Sequence, residues 1–204
     1  MEFQHELIIP DEGFPFKVFL FEGGNGNYVR EKHWHTSIEI FAVLAGSLDF
    51  FVNKEEYPLK AGEQIIINSN EIHSIHAPEK NQTVVLQIPL KQFENYFTAQ
   101  RFIRFRGQEE TTDKKLTSLI KKLYKTYVDR ETGYEFKTMS IFYEIMYILI
   151  RDYRVTEAKE KEIRHSHRLD VLSKITTYMR EHYKEDLKLS ELAATFGYSD
   201  AYLS

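Results

Sequence analysis

The 204-residue chain has no cysteine, so disulfides are excluded and nothing implies a secreted, disulfide-stapled domain. It also lacks an apolar run approaching the ~20 residues that would cross a bilayer. The N-terminus, MEFQHELIIPDEGF, has no basic segment leading into an apolar core, so no secretory leader is expected and the location implied is cytoplasmic, without membrane contact. Excess positive charge is missing too: 27 Lys and Arg stand against 31 Asp and Glu, a net charge of -4, which argues against a general nucleic-acid binder. Residues 155–204 carry 8 Lys and Arg against 9 Asp and Glu, so phosphate contacts are not expected to come from that segment as a whole. No internal repeat and no low-complexity segment is present. What the chain does have is apolar residues, 42% of the total with 14% aromatic, enough for a sizeable core.

Residues 16–88 alternate short β-rich runs with turn signals: FKVFLF, GGNGN, IEIFAVLAG, SLDFFV and EQIIINSNE. That spacing predicts an all-β barrel or sandwich, in which GGNGN is a turn rather than a phosphate-binding loop, since no helix follows it. If His33, His35 and Glu39 share a strand, they point to one face while Trp34, Ile38 and Ile40 point to the other. By the same alternation Phe41, Val43, Phe50 and Gln87 face the barrel interior and are candidates to line a small-molecule pocket.

The pattern H-x-H-x-x-x-E at His33, His35 and Glu39, followed by Gly46, Gly62 and His73, resembles the two motifs of the cupin superfamily. In metal-bearing cupins the residues matching His33, His35, Glu39 and His73 hold a divalent ion such as Mn, Fe, Ni or Zn, and imidazoles with one carboxylate suit those metals. The second motif departs from the family, with Asn68, Ser69 and Asn70 where P-x-G is usual before the histidine. Two other readings stay open: the four side chains form a hydrogen-bonded polar cluster, or the barrel is filled and serves only in dimerisation.

Beyond the barrel, Thr112 to Val128 and Tyr134 to Arg154 read as two antiparallel helices separated by the turn DRETG. Leu116, Leu119, Ile120, Leu123 and Tyr127 make an apolar stripe on the first, with Lys114, Lys115, Lys121, Lys122 and Lys125 on the solvent side. The second contains MSIFYEIMYILIRDY, apolar nearly all round, which predicts burial on two sides: against its own barrel and against a second subunit in a homodimer. Residues 155–168 lose the apolar period and read as a charged linker, where His165 and His167 are solvated side chains.

The last stretch predicts a helix from Leu169 to His182 with a stripe of Leu169, Leu172, Ile175, Thr176 and Met179. A shorter helix follows, with Leu189, Leu192, Ala193 and Phe196 on one face, Gly197 as a left-handed cap and Ser199 as the N-cap of a third helix. Two helices joined across a glycine turn are the helix-turn-helix pattern.

Leu189, Leu192, Ala193, Gly197, Ser199, Tyr202, Leu203 and Ser204 resemble, in register, the first DNA-binding motif of the AraC/XylS family of bacterial transcription regulators. Lys188 departs from the Ser or Thr that usually caps the second helix. The resemblance implies an α+β chain. A cupin-like antiparallel β-barrel (double-stranded β-helix) over 1–110 binds the effector, a helix pair over 111–154 dimerises, a linker spans 155–168, and 169–204 begins an all-α helix-turn-helix domain, cut within its first motif. It implies an effector-responsive regulator and not an enzyme. The effector is a small molecule with carbohydrate as the favoured class, contacted by His33, His35, Glu39, Phe41 and His73; double-stranded DNA meets Ser199, Asp200, Ala201 and Ser204. No cofactor is required, although a divalent metal ion in the barrel fits the four ligand-type side chains. The alternatives are a cupin-type metal-dependent enzyme and a dimeric small-molecule-binding module without DNA binding.

Overall fold

The computed structural model describes residues 4–24, 26–98, 102–107, 114–155, 171–172, 174–179 and 181–203. Nine strands occur among them: β1 (Gln4–His5), β2 (Lys17–Phe21), β3 (Tyr28–Trp34), β4 (Ile38–Ala45), β5 (Ser47–Val52), β6 (Glu55–Lys60), β7 (Gln64–Ile67), β8 (His73–Ala77) and β9 (Gln82–Ile88). They form two facing sheets, ordered β1-β3-β8-β5-β6 and β2-β9-β4-β7. Every pairing is antiparallel except that of β1 with β3, where Gln4 and His5 lie parallel to His33 and Trp34. This is the expected cupin-like α+β architecture, with that one parallel edge as a departure.

The two sheets differ in pattern for a physical reason. In β5 and β8 buried and half-exposed residues alternate, as they must when one face meets water. In β4 the first six residues are all buried, and β7 is buried throughout, because the second sheet is covered on both faces. Its inner face, with Phe41, Val43, Ile65, Ile67 and Val85, packs against Leu48, Phe50, Val52, Leu59 and Ile75 of the first sheet. Its outer face, with Ile38, Ile40, Ala42, Val84, Leu86 and Ile88, packs against two helices, α1 (Lys114–Asp129) and α2 (Tyr134–Ile148). Gly46, at φ +74 between β4 and β5, sits where backbones come too close for a side chain: a Cβ there would collide with the Lys80 carbonyl.

The stripe Leu116, Leu119, Ile120 and Leu123 is buried as expected, and the five lysines of α1 are exposed. Thr112 lies outside the described residues. Helix α2 starts at Tyr134 after Gly133 at φ +79, and its end loosens into a π-helical turn, Leu149–Tyr153. Within the single chain α2 is covered by the barrel, and part of the surface expected to meet a second subunit is open. Ile141, Phe142, Ile145 and Ile148 face the barrel, whereas Phe136, Tyr143 and Tyr147 are 84%, 61% and 58% exposed.

Of the linker 155–168 only Val155 is described; His165, His167 and Leu169 lie outside the described residues. Residues 171–172, 174–179 and 181 are helical, and of the stripe expected there Ile175 is buried while Leu172 and Met179 are exposed. Helix α3 (Leu189–Phe196) buries Leu192 and Ala193 but leaves Leu189 exposed, and the Tyr178 ring meets Phe196 edge-on at 5.6 Å. Gly197 adopts φ +72, and the Tyr198 amide donates back to the Ala193 carbonyl at 2.8 Å, a Schellman-type stop. Lys188 begins α3 without a side-chain cap, and α4 (Asp200–Leu203) follows the turn.

Candidate metal centre and its surroundings

The expected single strand bearing His33, His35 and Glu39 is interrupted: β3 ends at Trp34, and His35 sits in the turn that carries the chain across to β4 in the other sheet. Convergence survives because Glu39 and Gln87 are register partners on β4 and β9, while His33 and His73 are partners on β3 and β8. All five side chains are buried, none more than 4% exposed. Asn68, Ser69 and Asn70 place His73 without the family's proline and glycine. Asn70 takes the left-handed conformation at φ +66, which asparagine tolerates, and its amide donates to the His35 carbonyl at 2.8 Å.

Each histidine is oriented in the same way. The Nδ1 atoms of His33, His35 and His73 lie 2.8, 3.1 and 2.9 Å from the backbone carbonyls of Glu31, Ser37 and Glu71. A carbonyl only accepts, so each Nδ1 carries the proton and donates it, and in the neutral ring Nε2 is left as a lone pair. The Nε2 atoms of His35 and His73 both face Glu39 Oε2, at 3.0 and 3.2 Å. A carboxylate oxygen is itself an acceptor, so two neutral rings would set lone pairs against lone pairs in a dry site. Only a cation resolves that, either a proton or a metal ion.

The proton preferences agree. Burial opposes charging His35, but the charge and hydrogen bond of Glu39 outweigh it and raise its pKa. Burial likewise opposes charging Glu39, yet His35 and His73 hold its carboxyl well below the usual carboxylate range. Burial, with His73 alongside, pushes His33 down to about 4, so that ring is neutral at pH 7. One ligand atom from each of His35, Glu39 and His73 falls within 4.8 Å of the others. His33 is adjacent, its ring 4.1 Å from that of His73, but its Nε2 faces Glu6 Oε2 at 3.4 Å. Glu39 Oε1 accepts from Gln87 Nε2 at 2.7 Å, a fixed outer partner of the kind that orients a ligating carboxylate. The donor set therefore fits a divalent ion.

Of the other residues singled out, Phe41 and Phe50 pack ring to ring at 4.6 Å in the core between the sheets, and Trp34 packs on His5 at 4.5 Å. Asp200 and Ala201 begin α4 and are exposed with Ser199; Ser204 lies outside the described residues. Glu6 was not legible, since nothing in the sequence signals that a two-residue strand pairs parallel to β3.

Comparison with known proteins adds the following. The chain is 20% identical over 171 residues, 82% of its length, to an uncharacterized HTH-type transcriptional regulator of Staphylococcus aureus (strain COL), of which it spans 23%. A cupin superfamily protein from Desulfitobacterium hafniense DCB-2 aligns at TM-score 0.35 and 11% identity, over 37% of this chain and 68% of that one. The DMSP lyase DddQ from Ruegeria pomeroyi DSS-3 aligns at TM-score 0.34 and 20% identity, over 36% and 38%. No helix among the described residues is long and apolar enough to cross a membrane. The family model of the AraC-like ligand binding domain matches residues 15–146, from the start of the barrel through most of α2, and the chain belongs to that family.

Proposed function

We propose that the protein is a cytoplasmic, effector-responsive transcription regulator: the barrel senses a small molecule, α1 and α2 dimerise, and the C-terminal helices belong to a DNA-binding domain. One conjunction supports this reading, an AraC-like ligand-binding match over 15–146 followed in the same chain by two helices that turn at a left-handed Gly197. Phe136, Tyr143 and Tyr147 lie on one exposed face of α2 at spacings of seven and four, a stripe suited to a second copy of the same helix. DNA is met by the start of α4, with Ser199, Asp200, Ala201 and Ser204 nearest the bases. The effector class favoured by the family resemblance is a carbohydrate.

His35, Glu39 and His73, with His33 beside them, hold a divalent ion that supplies the cation their geometry calls for. The four side chains are 0–4% exposed, so an ion held there is enclosed by protein. The metal's role is then to lock β3, β4 and β8 together. The test is binding of the complete gene product to its own upstream DNA, followed by fluorescence anisotropy at about 0.15 M salt with and without candidate effectors. Sequence-specific binding that an effector shifts is expected; indifference to DNA sequence would overturn the regulator reading.

A further inference from the structure

None of residues 4–9 is buried, yet the chain there is held along β3: Gln4 and His5 pair with His33 and Trp34, and the Glu6 amide donates to the Trp34 carbonyl at 2.9 Å. Leu7 and Ile9, 45% and 67% exposed, add little apolar burial to hold it. What the pairing does is deliver the Glu6 carboxylate to the rim of the histidine cluster. Its Oε2 lies 3.4 Å from His33 Nε2 and accepts from Arg30 Nη2 at 3.0 Å.

His33 repeats the problem met at His35 and His73. Its Nδ1 donates to the Glu31 carbonyl at 2.8 Å, so Nε2 turns a lone pair toward a carboxylate oxygen. Three such approaches run through the site, at 3.0 Å from His35 to Glu39, 3.2 Å from His73 to Glu39 and 3.4 Å from His33 to Glu6. Neighbouring donor atoms on one ion at ~2.0–2.2 Å stand about 2.8–3.6 Å apart, so all three have the separation of adjacent ligands. The His33 ring is 4.1 Å from that of His73 and 6.2 Å from that of His35, which sets the outer pair directly beside the inner three.

Charge points the same way. Neutral imidazoles and one carboxylate leave a divalent ion with one uncompensated positive charge among side chains that are at most 4% exposed, and such a buried charge is costly. Glu6 supplies the second negative charge. Burial and Glu39 act most strongly on His35, and the Glu6 charge is felt there as well, in the direction that favours a cation. Glu6 also has freedom to move: its side chain is 28% exposed, and its partner Arg30, at 43%, has water to turn to.

We propose that Glu6 is an additional ligand of the barrel's divalent ion, carried in by β1, so that binding the ion and docking the N-terminal strand are one equilibrium. This rests on the reading of His35, Glu39 and His73 as a metal centre and adds a carboxylate from outside their motif. By reciprocity the ion tightens the docking of β1 by the factor that Glu6 adds to its affinity. Competition of the full chain with a fluorescent chelator for Mn and Zn, in wild type, Glu6→Gln and His73→Gln, measures the first half. Hydrogen exchange at the amide of residue 6, with and without the ion, measures the second. Glu6→Gln keeps the length and polarity of the side chain and should weaken ion binding about tenfold or more, with the melting of the metal-free chain unchanged. The ion should slow exchange at residue 6 about fivefold or more in wild type and leave it unaltered in Glu6→Gln. His73→Gln, which removes an inner ligand, should abolish tight binding. Binding lost in His73→Gln but kept at full strength in Glu6→Gln would overturn the part of Glu6 and leave the metal centre standing. Weaker binding in Glu6→Gln, with exchange at residue 6 indifferent to the ion, would make the carboxylate a distant charge only and overturn both ligation and docking. A wild type that binds neither ion, or binds no better than His73→Gln, would overturn the metal reading and this inference with it.

Discussion

Replacing Asn68 by alanine isolates one polar contact on which the join between barrel and helices depends. Phe105 is fully buried, and its own amide and carbonyl cannot pair with the 153–155 segment, because that ladder uses Arg104 and Arg106 on either side of it. Both groups are satisfied by the Asn68 carboxamide, which acts as a one-residue substitute for a neighbouring strand. Asn68→Ala leaves two buried backbone groups without partners, at about 1–3 kcal/mol each, or about 2–6 kcal/mol together. A cavity of about 230 Å³ beside Asn68 lets a water reach this edge and recover part of that loss, so about 3 kcal/mol is expected. For a chain of this size each kcal/mol moves the melting temperature by about 2–4 °C, giving a fall of about 6–12 °C. Differential scanning calorimetry reads the shift, and hydrogen exchange at the Phe105 amide should accelerate in step. A loss below about 1 kcal/mol with the Phe105 amide still protected would refute the reasoning, because the segment at Phe105 would then be held by something other than Asn68.

Three further outcomes follow from the same geometry. Gln87→Leu removes the donor that fixes Glu39 Oε1 without touching the histidines, and should lower affinity for Zn or Mn by about 10–100-fold in a competition assay with a fluorescent chelator; unchanged affinity would place the ion elsewhere or nowhere. Gly46→Ala forces a Cβ against the Lys80 carbonyl at a positive φ and should cost more than the ~1–2 kcal/mol of the left-handed conformation alone, measured by urea unfolding. Tyr143→Glu combined with Tyr147→Glu puts two charges on the exposed stripe of α2 and should convert a dimer to a monomer in sedimentation velocity while leaving the melting of the monomer within about 0.5 kcal/mol of wild type, as expected for exposed sites. A monomeric wild type would remove the α2 interface.

How far the sequence could be read depended on whether a position is fixed by periodicity or by a partner. The α1 stripe, the turn at Gly197 and the inward set Glu39, Phe41 and Val43 follow from periods of 3.6 and 2 and from backbone conformation, which act over a few residues. Convergence of His73 on His35 and Glu39 was legible only through the resemblance to the cupin motifs, because three strands lie between Glu39 on β4 and His73 on β8 of the other sheet. The interruption after Trp34 was not, since crossing from one sheet to the other leaves no compositional mark beyond Thr36 and Ser37. An apolar side chain signals capacity for burial, not the identity of what buries it, so the second covered side expected of α2 stands as a proposal about a partner: Phe136, Tyr143 and Tyr147 stay exposed in a single chain.

The polar connectors form a separate case. Asn68 and Phe105 are 37 positions apart, Glu71 and Arg104 are 33 apart, and Gln64 and Tyr153 are 89 apart. A hydrogen bond between such residues needs only that the fold deliver two groups to within about 3 Å, and the chain offers dozens of amides and carboxylates that could serve equally well. Hydrophobic positions are constrained by all their neighbours at once, whereas each of these is constrained by one partner, so no window of sequence carries the signal. Their placement is nevertheless not scattered. An apolar seam between β7 and the end of α2 would be indifferent to small sliding of one past the other, while directional bonds at Gln64, Asn68 and Arg104 are either made or broken. A junction built from such bonds has discrete arrangements, which is the property required of any element that must report the state of the barrel to the chain beyond Val155.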